Sequence, residues 1–170
     1  PVHFDLLAGH VRQAMVVVVL RAERDARLVR PVRGHCADRP ERPEGGVAIE
    51  DFKFLKSVTS RTAKLCIPSP SMLHFRGGRG SVDRSAYPDI AEFFDDLARV
   101  YREEMADLAK AGCTYLQLDD TNLAYLCDPE HRERARAIGE DPNKLPSVYA
   151  KLISDSVRGR PDNLSTCIHL

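Results

Sequence analysis

Two short stretches of this chain end in polar side chains that could do chemistry. Asp119 and Asp120 follow directly after the apolar run from Tyr115 to Leu118, and Cys167 and His169 lie two residues apart further on. A carboxylate at the end of a strand can hold an ammonium group, orient a general base or ligate a metal. It can equally accept an N-cap or loop hydrogen bond, so both interpretations of Asp119 stay open.

Cys167 and His169 also have two interpretations. Residues two apart on a strand point to the same face, and thiolate with imidazole is a ligand set that suits zinc. Spacing alone favours a buried cysteine beside a hydrogen-bonded histidine over a ligand pair. The spacing therefore raises a zinc hypothesis without establishing it.

A third polar stretch is the glycine-rich loop that contains His74, Arg76 and Arg79. Backbone N–H and guanidinium groups in such a loop could receive an anionic group. Gly77 and Gly78 could instead serve only to turn the chain. The sequence does not separate these two interpretations.

The composition limits the partners and the compartment. Lys plus Arg and Asp plus Glu each total 25 of 170 residues, so no net field favours nucleic acid or an anionic membrane. The longest apolar run, Ala14–Leu20, is too short to cross a bilayer, and no secretory signal opens the chain, which predicts a cytoplasmic protein. Five scattered cysteines argue against a disulfide framework, and Cys66 and Cys113 are predicted to be small buried residues.

Residues 1–46 differ in composition from residues 47–170, which we treat as the folded domain. Seven arginines fall between residues 21 and 44, and no lysine occurs before residue 50. Three explanations of this arginine-rich segment stay open. It could be a basic arm for nucleic acid, which its interspersed acidic residues disfavour, a solvated linker, or the product of a reading-frame error in GC-rich DNA.

The elements that must position these residues alternate between strand and helix. Apolar runs predict strands at 15–20, 64–68, 114–118 and 164–170. Three-and-four spacing predicts a long helix that Pro88 opens and Gly112 stops. Two further helices are predicted, one from Pro129 with Asp128 as its N-cap and one from about Pro146.

This alternation, without a hairpin signal, predicts an α/β fold with a parallel sheet. Four strands amount to a partial TIM-type (β/α)8 barrel with the middle strands only, since a whole barrel typically needs ~250 residues. Reactive residues gather at the carboxyl ends of such strands. Alternation along the strand puts Gln117 and Asp119 on one face and Leu116 and Leu118 on the helix side, so Asp119 is preferred to Asp120.

Four segments resemble the single-barrel relatives of cobalamin-independent methionine synthase. They are Val47–Lys56, Ile67–Gly78, Tyr115–Asp128 and Cys167–Leu170, and the resemblance covers about 47–170. In that family a zinc ion at the mouth of a β/α barrel binds homocysteine as thiolate for attack on the methyl group of methyltetrahydrofolate. Coordination to zinc ionises a thiol at neutral pH. The resemblance therefore implies a zinc-dependent methyltransferase of methionine synthesis whose partners are a small-molecule thiol and a folate.

The resemblance carries two residues over. His169 is similar to the histidine of the family's His-x-Cys zinc motif, with Leu170 as the intervening residue, and is the predicted metal ligand. The matching cysteine would come next, and the family's remaining ligands, a glutamate and a second cysteine, belong to later strands. Asp119 is similar to the aspartate that holds the substrate amino group, and it is the predicted substrate-binding residue. Asp120 and Thr121 follow where the long enzymes have Glu-Pro.

We therefore expect a fragment of such an enzyme, with no catalytic residue assigned and no activity by itself, because a working zinc site needs about three protein ligands. The loop Ser69–Gly78 resembles one that faces the folate, without individual roles. Two alternatives remain: a zinc-dependent alkyl transferase for another thiol such as coenzyme M, and a non-catalytic α/β ligand-binding module. Unpaired strand edges also predict self-association.

Overall fold

The computed structural model describes residues 16–19 and 48–170 of the chain. Apart from the strand at 16–19, the arginine-rich segment 1–46 lies outside the described residues. The three explanations of its composition therefore all stay open. The strands are β1 (Val16–Val19), β2 (Ala63–Pro68), β3 (Tyr115–Asp119) and β4 (Ser165–His169). The helices are α1 (Ile49–Ser57), α2 (Met72–Phe75), α3 (Ile90–Lys110), α4 (Asn122–Tyr125), α5 (Pro129–Ala137) and α6 (Leu145–Val157).

The four strands form one parallel sheet in which strand order follows chain order, β1-β2-β3-β4. The crossover that parallel strands require is supplied by α3 between β2 and β3, and by α5 and α6 between β3 and β4. At the carboxyl ends of the strands, the register aligns Pro68 with Asp119 and Asp119 with His169. The predicted α/β class and parallel sheet are confirmed, and the arrangement is compatible with part of a barrel wall.

The hydrophobic core lies between one face of the sheet and helices α1, α3 and α6. Leu65, Leu116 and Leu118 form the sheet side of this core and are almost completely buried. The predicted apolar stripe of α3 forms much of the helix side, through Phe93, Leu97, Val100, Tyr101, Met105 and Leu108. Each buried side chain of this size contributes ~1.5–3 kcal/mol, so α3 is packing surface, as its spacing predicts.

The ends of α3 follow from two local signals. The helix begins at Ile90 rather than at Pro88, because Asp89 is its N-cap and accepts a hydrogen bond from the backbone N–H of Ala91 at 2.9 Å. Gly112 follows the helix with a φ of +93°, which glycine adopts without steric cost. The predicted stop is therefore confirmed and the predicted start is two residues early.

The other helices divide into predicted and unpredicted ones. Helix α5 begins at Pro129 with Asp128 as its N-cap, as its sequence indicates. Helix α1 was not predicted, and neither were the one-turn helices α2 and α4, whose four residues are too few to show a period. Across the described ranges, no helix has the length and apolar character needed to cross a bilayer.

Candidate functional site

Strand β3 presents its polar side chains to the open face of the sheet, away from the helices. Leu116 and Leu118 are buried in the core, whereas Tyr115, Gln117 and Asp119 are half-buried. The pleat is the cause, because successive side chains of a strand point to opposite faces. The predicted alternation is therefore present, and Asp119 lies on the open face.

Asp119 and His169 lie side by side at the carboxyl ends of β3 and β4. Their register aligns them, and Asp119 Oδ1 lies 3.4 Å from His169 Nδ1. The side-chain amide of Gln117 donates to the same carboxylate oxygen at 2.6 Å. Among the residues that the structure describes, none donates to Asp119 Oδ2, so this oxygen can accept a hydrogen bond from a ligand. The fold brings the two predicted site residues together.

The contacts continue from Asp119 across the sheet to a lysine on β2. Lys64 Nζ donates to Gln117 Oε1 at 2.5 Å and lies 5.3 Å from the centroid of the Tyr115 ring. We call Lys64, Gln117, Asp119 and His169 the polar row. Sequence reasoning placed Gln117 on the face of Asp119 but missed Lys64, because the register between β2 and β3 has no local signal.

Two cysteines adjoin the polar row. Cys167 is half-buried, with its Sγ 3.7 Å from the hydroxyl of Tyr115 and 3.8 Å from Gln117 Oε1. Cys66 is buried, and burial, reinforced by the charge of Asp119, raises its pKa to about 11, so its thiol stays protonated at neutral pH. Burial also raises the pKa of the Cys113 thiol. The prediction that Cys66 and Cys113 are buried is confirmed.

Asp120 has the structural role that the sequence offered for Asp119. Its carboxylate is fully buried and accepts hydrogen bonds from the hydroxyls of Ser69 and Ser71 at 2.7 and 2.6 Å. The backbone N–H groups of Asn122 and Leu123 donate to its other oxygen at 3.0 and 3.2 Å. These four donors tie the loop after β2 to the loop after β3.

The glycine-rich loop is engaged inside the fold. His74 is buried, with Nδ1 3.0 Å from the hydroxyl of Tyr149 and Nε2 3.5 Å from Glu140 Oε1. Burial lowers the pKa of His74, against the opposing charge of Glu140. The guanidinium of Arg79 donates to the carbonyls of Val82 and Tyr87 at 2.9 and 2.5 Å. For His74 and Arg79 these contacts favour a structural role over the anion-binding interpretation.

A pocket of about 370 Å³ lies beside the strand ends, between α2, α4 and α5. Its lining combines aromatic and cationic side chains, including Phe75, Arg76, Tyr125, His131 and Arg134. The ring of Tyr125 stacks on those of Phe75 and His131, with centroid distances of 6.0 and 4.6 Å. Sequence reasoning named only Arg76 of this group, because the pocket depends on how three helices pack.

The described residues offer a partial donor set for a zinc ion. In the part of the chain that the structure describes, no three His, Cys, Asp or Glu side chains converge closely enough to hold a metal. His169 could fill one ligand position: its Nδ1 faces a carboxylate, and its Nε2 makes no hydrogen bond or ion pair with the described residues. Metal-binding histidines usually donate their second ring N–H to such a group.

Two curated proteins are similar in sequence to this chain, each over the same number of residues. The chain is 41% identical to the uncharacterized protein YxjH and 35% identical to the uncharacterized protein YxjG, both of Bacillus subtilis (strain 168). Each match runs over 124 residues, or 72% of this chain and 32% of the relative. The chain thus spans about a third of the length of these curated relatives. No protein-family model matches it.

Two solved structures share the fold. The "Putative Vitamin-B12 Independent Methionine Synthase" from Listeria monocytogenes has a TM-score of 0.61 and 36% identity, covering 78% of this chain and 38% of that one. The B12-independent methionine synthase from Shewanella sp. W3-18-1, in complex with selenomethionine, has a TM-score of 0.51 and 18% identity, covering 73% and 30%. The second likeness shows the fold alone. The chain is thus an α/β protein with structural neighbours named as vitamin-B12-independent methionine synthases.

Proposed function

We propose that this chain is part of a barrel enzyme of the cobalamin-independent methionine synthase family. The reaction would move a methyl group from methyltetrahydrofolate to the thiolate of homocysteine, with zinc as the cofactor. One observation carries the proposal: Asp119 and His169 meet at adjacent strand ends, 3.4 Å apart, on the open face of a parallel sheet. The similarity to the Listeria monocytogenes structure supports it.

The polar groups of this face suit the proposed roles. His169 would supply one zinc ligand through Nε2, while Nδ1 stays against Asp119. Bound zinc would supply a Lewis acid that ionises the substrate thiol and leaves it nucleophilic. Asp119 Oδ2 would accept a hydrogen bond from the ammonium group of the amino-acid substrate. The Asp119 carboxylate could contact His169 through Oδ1 and the substrate ammonium through Oδ2, so one residue could fill both roles.

The folate would lie in the pocket between α2, α4 and α5. This pocket is bordered by Met72, Phe75 and Arg76, which belong to the loop that resembles the family's folate-facing loop. Stacked aromatic rings suit a flat heterocycle, and an exposed guanidinium suits a carboxylate. These features support the placement of the co-substrate in this pocket.

The test uses the full-length gene product that contains this sequence. We expect bound zinc and methyl transfer to homocysteine, loss of most zinc in His169→Ala, and in Asp119→Asn a raised KM for homocysteine with a smaller loss of zinc. Asp162→Asn, on an exposed carboxylate in the turn before β4, is the matched control and should change neither. A full-length product that binds no zinc and methylates no thiol would contradict the proposal.

The same assay separates the two alternatives. Methyl transfer to coenzyme M in preference to homocysteine would indicate a related alkyl transferase, and Asp120-Thr121 at the family's Glu-Pro position is the sequence feature that raises this alternative. A non-catalytic ligand-binding module would show neither zinc nor transfer. Metal analysis and product analysis on one preparation therefore distinguish all three.

A further inference from the structure

We infer that Lys64 and Gln117 are positioning residues that set the orientation of Asp119 and, through it, the tautomer of the His169 ring. The polar row carries this inference by three consecutive contacts. Lys64 Nζ lies 2.5 Å from Gln117 Oε1, Gln117 Nε2 lies 2.6 Å from Asp119 Oδ1, and Asp119 Oδ1 lies 3.4 Å from His169 Nδ1. Its use in catalysis rests on the proposed function, whereas the contacts themselves involve neither zinc nor substrate.

The groups at the two ends fix which way the Gln117 amide points. The Lys64 ammonium has donors and no acceptor, so it binds the amide oxygen. The Asp119 carboxylate has acceptors only, so it binds the amide N–H. The thiol of Cys167, 3.8 Å from the amide oxygen, adds a weak donor on the lysine side. Turning the amide around would oppose donor to donor and acceptor to acceptor, so one arrangement is favoured.

The lysine is itself held in place. Its stem belongs to β2, which is hydrogen-bonded to β3, and its ammonium lies 5.3 Å from the centroid of the Tyr115 ring. An ammonium near an aromatic ring is attracted by the electrons of that ring. The Lys64 end of the polar row is thus held by contacts on two neighbouring strands, whereas the His169 end is more exposed.

An anchored amide has a consequence for the outer pair. Because Gln117 holds Oδ1, the Asp119 carboxylate is restrained from turning away from His169. Oδ1 therefore stays beside Nδ1 and favours the tautomer that carries its proton there, which leaves the lone pair on Nε2. In the proposed enzyme, that is the form in which the ring can bind a metal.

The test measures the ring tautomer in the zinc-free, substrate-free chain. Nitrogen-15 NMR reports the ratio of Nδ1–H to Nε2–H forms at a pH where the rings are neutral, and a His169→Gln spectrum assigns the signals. In Gln117→Leu we expect this ratio to fall roughly fivefold, the equivalent of one net hydrogen bond. The Lys64 side chain contacts neither Asp119 nor His169. Lys64→Met should therefore shift the ratio in the same direction as Gln117→Leu but by a smaller factor.

Two control variants make the result decisive. Asp119→Asn removes the negative charge beside Nδ1 and must lower the ratio. Tyr115→Phe keeps the aromatic ring near Lys64 and leaves the polar row intact, so it must not. If Asp119→Asn lowers the ratio but neither Gln117→Leu nor Lys64→Met does, the inference is overturned while the contact of Asp119 with His169 stands. An equal response in Tyr115→Phe would also overturn it, because general loosening of the face would then be the cause.

The outcome is separable from the test of the proposed function. Zinc content and methyl transfer of the full-length product decide the function, and the tautomer ratio depends on neither. If the tautomer ratio changes as expected but the full-length product binds no zinc and transfers no methyl group, only the proposed function is refuted. If the product is an active zinc enzyme but Gln117→Leu and Lys64→Met leave the tautomer ratio unchanged, only the positioning role is refuted.

Discussion

Asp119 and Asp120 are neighbours at the end of β3 with opposite surroundings. Asp119 is half-buried on the open face and keeps one oxygen without a donor among the described residues. Asp120 is fully buried and receives four hydrogen bonds from two loops. The strand pleat alone separates a group that can serve a ligand from one that serves the fold.

Removal of the buried carboxylate should therefore destabilise the chain. Asp120→Ala leaves two serine hydroxyls and two backbone N–H groups without their acceptor, and we expect a loss of about 2–4 kcal/mol in the free energy of unfolding. Asp119→Ala is the matched control and should cost less than about 1 kcal/mol, since it is half-buried. Urea unfolding at neutral pH measures both. Equal losses in the two variants would contradict this division of roles.

At the scale of elements, a polar cluster joins α2 to α6. His74 of α2 contacts Tyr149 of α6, and Glu140, in the connection before α6, faces the second ring nitrogen of His74. Glu140 Oε1 also accepts a hydrogen bond from the backbone N–H of Arg79 at 2.7 Å. Burial raises the pKa of Tyr149, with the charges of Glu140 and Asp120 acting in the same direction. The hydroxyl therefore stays neutral.

This cluster should make stability depend on pH. The pKa of His74 is lowered below its ordinary 6.5, chiefly by burial, so the unfolded chain takes up this proton first as the pH falls. The contribution of neutral His74 is complete above the unfolded pKa and is lost as the pH drops towards the folded pKa. We expect a decline of up to about 1.4 kcal/mol per pH unit in that window.

The measurement is the urea midpoint between about pH 7.5 and pH 5.5, compared for the unaltered chain and His74→Gln. The variant should show a flatter pH dependence. Identical slopes in the unaltered chain and His74→Gln would show that this histidine does not couple folding to pH.

At the scale of the whole molecule, the sheet presents an unpaired edge. Among the described residues, β4 pairs with β3 on one side and with no strand on the other. Ile168 and Leu170 at this edge are 40% and 62% exposed. Unpaired backbone groups beside exposed apolar side chains favour strand pairing between chains.

Self-association is therefore expected for residues 1–170 and should grow with concentration. Analytical ultracentrifugation measures it. Ile168→Lys should weaken it, because a charge on an edge strand opposes pairing. Val58→Lys, on an exposed apolar residue at the end of α1, is the matched control and should have little effect. A monomer at all concentrations would contradict the prediction.

Several features could be predicted because their causes are local. The strand positions, the stripe of α3, the N-cap Asp128 and the direction of Asp119 follow from periodicity and from residue types within one turn or one strand. The choice of Asp119 over Asp120 came from alternation along β3 alone. The start of α3 was missed by two residues, because Asp89 and Pro88 compete for the same boundary.

The sequence by itself determined the strands, the longer helices after β2 and which side of β3 is polar. Only the tertiary structure decided the partners: Lys64 with Gln117, Ser71 with Asp120, and His74 with Tyr149 are separated by 53, 49 and 75 residues. The register between strands and the packing of helices set those contacts, and neither leaves a periodic trace in the chain. Local patterns report which way a side chain points, whereas its partner depends on segments distant in sequence that the fold brings to the same place.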